Sequence, residues 1–139
     1  MEAALAAFTW QEWLTFVLIA GGIFGLGEAT LARTVFARIR ETYGMTNRAE
    51  ATAAQRKGLL ERTLLYLGLL MGYPVVVVAF GALKLGTRWV APEAAKQIVS
   101  NNFFLVGNFW SLLLVFVYLG IVRALVFLTL IDPHSPLRI

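Results

Sequence analysis

The chain has no cysteine and a single histidine, His134. The first absence removes thiol catalysis, disulfides, thiolate zinc sites and Cys-ligated iron–sulfur clusters. The second removes any His-rich metal cluster and any bis-His haem held within one subunit. No phosphate loop, dinucleotide fingerprint, HExxH or paired-carboxylate pattern occurs. Charge is scarce as well: 14% of the 139 residues, against about 25% in soluble domains.

What the chain has in abundance is apolar surface. Hydrophobic residues make up 59%, and glycine adds another 12 residues. A compact domain this small buries less than about 70% of its unfolded surface, which leaves no room for such a load. The composition excludes a soluble monomer, a disordered chain, a collagen and a disulfide scaffold. The sequence reads as an all-α, single-domain integral membrane protein.

Charge-free runs place three spans, over residues 10–32, 63–84 and 103–123. Each is close to the roughly 20 residues that a crossing helix needs. The first carries Glu28 inside it and is expected to stay as a helix, because the acids Glu2 and Glu12 stand where a cleavable signal has basic residues. Seven of the 12 basic residues lie between spans one and two: Arg33, Arg38, Arg40, Arg48, Arg56, Lys57 and Arg62. Lys84, Arg88 and Lys96 lie between spans two and three. The positive-inside rule then puts the first connection and the C-terminus in the cytoplasm and the N-terminus outside. Trp10, Trp13 and Trp89 fall at the outer interfaces of that topology, where tryptophan is enriched.

Residues 33–62 read as a cytoplasmic helical hairpin. Leu31, Val35, Phe36 and Ile39 recur at helical spacing, Tyr43-Gly44 ends that helix, and Asn47 caps the next with Glu50 three residues on. Gly58 is its weak point. Residues 85–102 form an outer loop, with Pro92 suited to the first turn of a short interfacial helix. Residues 124–139 form an apolar tail that lies along the interface or on a neighbouring protein.

Each span carries a stripe of small residues. These are Gly21 and Gly25 (sharing a face with Glu28), Gly68 and Gly72, and Gly107 with Ser111 one turn on. Such spacing lets helix backbones approach closely. Pro74 is expected to kink span two near its middle. Glu28 is the most informative residue, because an ionisable group inside a span is either buried in the bundle or functional. Arg33, Arg62 and Arg123 are its candidate partners. Spans one and three run in the same direction in this topology, so Arg123 can reach the depth of Glu28. Asn108 and Ser111 then sit at the opposite side of the membrane from Glu28. Asp132, His134 and Ser135 do not form a triad, because adjacent positions on a Pro-flanked tail cannot take that geometry.

The stretch Glu61-Arg62-x-Leu64, Gly72-Tyr73-Pro74, Ala82-Leu83-Lys84, Arg88-Trp89 and Asn102-Phe103-Phe104-Leu105-Val106-Gly107 with Ser111 resembles the last helix pair of a family of small bacterial integral membrane proteins. In that family an ER-led helix ends in a lysine and an arginine, and a YFLxG…S helix follows; Phe103 stands in place of the tyrosine. The resemblance covers residues 61–111. It implies a bacterial origin and no assigned activity; with the three spans, the expected location is the bacterial inner membrane, as a multi-pass protein.

Together these features predict a non-catalytic membrane subunit that acts by helix packing, within a larger complex or as a homo-oligomer. Its partners are membrane lipids, other membrane subunits or its own copies, and no nucleic acid. Two alternatives stand beside it. One is an oligomeric ion or solute channel using Glu28, or Asn108 and Ser111. The other is a lipid- or quinone-binding subunit with a crevice near Tyr66, Tyr73 and Pro74. No metal, catalytic residue or other cofactor is expected.

Overall fold

A computed structural model describes residues 10–44, 48–90 and 101–131. Every regular element among them is helical. Helix α1 (Trp10–Gly27) runs through a π turn (Glu28–Ala32) into α2 (Arg33–Thr42), making one continuous rod. Helix α3 covers Arg48–Leu70, α4 covers Val75–Val90 and α5 covers Asn101–Ile131.

Tyr43 closes α2, and Gly44 follows at φ +68°, a left-handed value that glycine takes without a Cβ penalty. The sequence signal for that helix end therefore has a direct backbone cause. Helices α1–α2 and α5 are antiparallel, because Tyr43 packs against Phe103 at one end and Phe24 against Tyr118 further along. Helix α3 also runs opposite to α1–α2: Arg62 meets Glu28, and Tyr66 meets Ala20 further down. The core lies where these rods converge, on Ala32, Leu65, Tyr66, Phe80, Leu114, Val115 and Tyr118.

Two helices are long and apolar enough to cross a membrane, Trp13–Thr42 and Asn102–Val126. Only 11% and 28% of their most apolar windows are buried. Their exposed faces carry Leu14, Val17, Leu18, Leu26, Leu105 and Phe109.

The segment expected as a single second span folds differently. Pro74 does not kink a continuous helix over 63–84; the chain reverses there. Gly72 takes φ +84°, and the Tyr73 amide donates back to the Gly68 carbonyl at 2.8 Å. Gly68 then lets α4 cross closely, since a Cβ on it would stand 2.9 Å from a Val76 methyl. As a result, Lys84 Nζ reaches Glu61 at 2.6 Å, although a straight helix would hold these residues about 35 Å apart. The turn lies nine residues beyond Glu61 and nine before Lys84, about 14 Å along either arm. Proline withdraws a donor and glycine permits the left-handed turn; together they end one helix and reverse the chain. Gly72 is thus a turn residue and not part of a packing stripe.

The antiparallel rods also overturn the parallel placement of spans one and three. Arg123 is exposed on α5 and forms no ion pair with Glu28. The short helix proposed at Pro92, the Asn47 cap and the tail around His134 lie outside the described residues.

Candidate functional site

The π turn begins at Glu28 and aims it inward. On α1 the inward positions are Ala20 and Gly27, with Ile23 and Phe24 partly covered. Beyond the turn they are Ala32 and Ile39. An unbroken α-helix would bring Leu31 to the face of Gly27, yet Leu31 is exposed and Ala32 is buried. One extra residue in the turn thus shifts the buried stripe. The widened turn disturbs the i→i−4 ladder. The Thr30 and Thr34 hydroxyls donate to the carbonyls of Leu26 and Thr30, at 2.7 and 2.8 Å.

Arg62 approaches from α3. Its Nε and Nη2 donate to the two Glu28 carboxylate oxygens at 2.6 and 2.7 Å. This is a side-on bidentate pair, the strong form of the Arg–carboxylate contact. Both side chains are close to fully buried, 6% exposed for Arg62 and 11% for Glu28. The third guanidinium nitrogen, Nη1, points at Ser111 Oγ on α5 across 3.5 Å, a weak contact. The Phe36 ring lies 4.7 Å from the guanidinium carbon, in the range of a cation–π contact. Gly58, four residues before Arg62, leaves space for Nη1: a Cβ there would stand 3.0 Å from it. The glycine that weakens the helix is also what admits the arginine.

Tyr118 closes the site from α5. Its ring covers Gly27 so closely that a Cβ on Gly27 would clash with the ring carbons, and Phe24 meets it edge-on at 5.8 Å. The Tyr118 hydroxyl is buried and faces the Glu28 carboxylate without closing a well-formed hydrogen bond. One helical turn along α3, Tyr66 stacks on Phe24 at 4.9 Å and donates its hydroxyl to the Ala20 carbonyl at 2.9 Å.

Glu28, Arg62 and Ser111 therefore form one cluster. The separation of Ser111 from Glu28 across the membrane does not hold, because it depended on parallel spans one and three. Of the three candidate partners Arg62 takes Glu28, and Arg123 does not. Asn108 is half-buried and adds no hydrogen bond to the cluster. Gly21 and Gly25 do not share the inward face with Glu28: both are exposed, and a Cβ on either would meet open space. The same space surrounds Gly107. Tyr66 is 3% exposed while Tyr73 stands on the exposed turn, so they do not line a common crevice. Tyr118 and Gly27 were missed from the sequence, and Phe36 was read only as part of a helical stripe, because the contacts that assemble the site join distant parts of the chain.

The chemistry open to this arrangement is narrow. The two buried charges neutralise each other, and no group of three or more His, Asp or Glu able to hold a metal occurs among the described residues. No family model matches the chain, and neither the curated proteins nor the solved structures include a significant match.

Proposed function

We propose that this chain is a non-catalytic helical subunit of a membrane, acting by packing against other membrane chains or copies of itself. The observation that carries the reading is the closed Glu28–Arg62 pair. Its bidentate geometry commits both charges to holding α1 and α3 together, leaving neither free to bind an ion or activate a substrate. The outward faces are apolar, and Gly21, Gly22 and Gly25 offer open backbone on one of them. Small residues of this kind favour helix association in lipid. Conduction through a pore lined by Glu28 has less support, because the carboxylate already has its counter-ion.

In this reading α1–α2 and α5 cross the bilayer and the α3–α4 hairpin enters and leaves on one side. The turn reaches only about 14 Å beyond the Glu61–Lys84 ion pair, less than a hydrocarbon layer of about 30 Å. Charge supports the arrangement. The seven basic residues of 33–62 and the three of 84–96 then fall on one side, leaving only Arg123 and Arg138 opposite. The positive-inside rule is better served than by three crossings, and it makes the hairpin side cytoplasmic. The resemblance over residues 61–111 points to a bacterial origin, and the apolar helices then to the inner membrane.

Mild extraction followed by native mass spectrometry tests the packing reading. Copies of the chain or another membrane protein are expected to stay bound; a lone monomer that still performs its membrane role defeats the proposal. The absence of cysteine makes the topology directly testable. Single cysteines at Thr42 and Thr87 are expected to react with an impermeant maleimide from the same side of sealed vesicles. Reaction from opposite sides would restore a crossing second span.

A further inference from the structure

The cytoplasmic end of the bundle carries more positive charge than the fold uses. Arg33, Arg38 and Arg40 lie on the rod formed by α1 and α2, and Arg56 and Lys57 lie on α3. Arg40 faces the Gln55 amide oxygen, 3.1 Å away in the amide orientation that satisfies both groups. Arg33, Arg38, Arg56 and Lys57 are exposed, and none is paired with a carboxylate among the described residues. The acids at this level are mostly committed elsewhere: Glu28 to Arg62 and Glu61 to Lys84. Glu41 is exposed there.

The position of these cations relative to the apolar surface is regular. On the α1–α2 rod the exposed residues Leu26 and Leu31 are followed at once by Arg33. On α3 the exposed residues Leu59, Leu60, Leu64 and Leu67 begin just after Arg56 and Lys57. On α4 the exposed residues Val75, Val78, Leu83 and Leu85 precede Trp89, itself 86% exposed. Three helices thus change from apolar to cationic or interfacial at the same end. That boundary is where hydrocarbon gives way to headgroups, and in this topology Trp89 stands at the cytoplasmic interface instead of the outer one that three crossings would give it.

We propose that this end of the bundle is a binding surface for anionic phospholipid headgroups of the cytoplasmic leaflet, with Arg33, Arg56 and Lys57 as its principal contacts. The match is one of charge and depth. The cations border the lipid-facing leucines instead of standing off on a separate domain, so the nearest phosphates are those of the leaflet itself. Juxtamembrane cations each contribute about a fivefold gain in binding to an anionic surface, decaying within a Debye length. The proposal rests on the membrane reading above.

The test is retention of phosphatidylglycerol against phosphatidylcholine on the full chain, read by native mass spectrometry from mixed detergent–lipid micelles. The intact protein is expected to keep phosphatidylglycerol by about 100-fold, and the preference to fall as salt rises from about 50 to 500 mM. Arg33→Gln, Arg56→Gln and Lys57→Gln combined are expected to lower that retention on the order of 100-fold. Arg123→Gln, at the far end, is expected to cost at most about fivefold. No lipid preference, or an unchanged preference in the triple variant, overturns the proposal. So does displacement of the lipid by a single-stranded oligonucleotide, which would make the surface a site for a soluble polyanion. Because all three substituted residues are exposed, their loss leaves the core intact. Maleimide labelling at Thr42 reports membrane placement whatever the lipid, so failure of this surface and failure of the membrane reading remain separable.

Discussion

Removing one partner from the Glu28–Arg62 pair is the sharpest test of the site. Arg62→Met keeps much of the side-chain length and apolar stem while deleting the guanidinium. The loss comprises two charge-assisted hydrogen bonds, at 2.6 and 2.7 Å, and the face-on contact with Phe36. The Ser111 contact at 3.5 Å adds little. The larger effect is on what remains, a Glu28 carboxylate only 11% exposed without its counter-charge. Stranding a buried charge in this way costs about 3–5 kcal/mol. Glu28→Gln strands Arg62 and is expected to cost a similar amount. The double variant strands nothing, and buried pairs replaced by neutral groups are often neutral or even stabilising by about 1–4 kcal/mol. It should therefore be markedly more stable than the sum of the single losses predicts, with a coupling of several kcal/mol. The assay is denaturant-induced unfolding in mixed micelles, with Arg56→Met as the exposed control. If Arg62→Met behaves like that control, or if the two single losses add, the pair does not organise the bundle.

Three further outcomes follow from the packing. Gly27→Ala drives a methyl into the Tyr118 ring and should cost about 1–3 kcal/mol, whereas Gly21→Ala meets open space and should raise helix stability slightly; thermal unfolding separates them. Gly72→Ala forces a Cβ into the left-handed region at φ +84° and should destabilise the hairpin by about 1–2 kcal/mol, read as faster hydrogen exchange in α4. Tyr66→Phe keeps the stack on Phe24 but loses the bond to the Ala20 carbonyl, a cost of about 1 kcal/mol measurable in the same unfolding assay.

Much of the helix content was legible because its causes are local. Tyr43-Gly44 stops a helix through the backbone freedom of one glycine, and the Ala-rich run after Asn47 has high helix propensity. Glu28 stood out because a carboxylate in an apolar run demands a partner, and Arg62 was among the three candidates. The hairpin was not legible. Gly72-Tyr73-Pro74 reads equally as a kink or a reversal, and the choice depends on Gly68 meeting Val76 and Glu61 meeting Lys84, both non-local. That one ambiguity reversed the direction of α5, and with it the positions of Ser111 and Arg123 relative to Glu28. The aromatic lining was illegible for a different reason. Tyr118 lies in a stretch where most neighbours are also large and apolar, while Phe24 and Phe36 are marked only as apolar positions on a helix, and in each case the partner is fixed by non-local packing.

The π turn has a consequence for how this chain tolerates insertion and deletion. Residues 10–27 and 33–42 belong to two helical frames offset by one residue, and Glu28–Ala32 absorbs the offset. Deleting a single residue there would let the rod close into an uninterrupted α-helix, with better local geometry. It would also keep the packing face, because Ala32 would move to the i+4 position of Gly27 and the inward stripe of Ala20, Gly27, Ala32 and Ile39 would continue in a single frame. A residue lost from 33–38, where the helix is already regular, would instead rotate Ile39 away from the core by about 100°. A single deletion within 29–31 is therefore the one length change that this rod is built to accept.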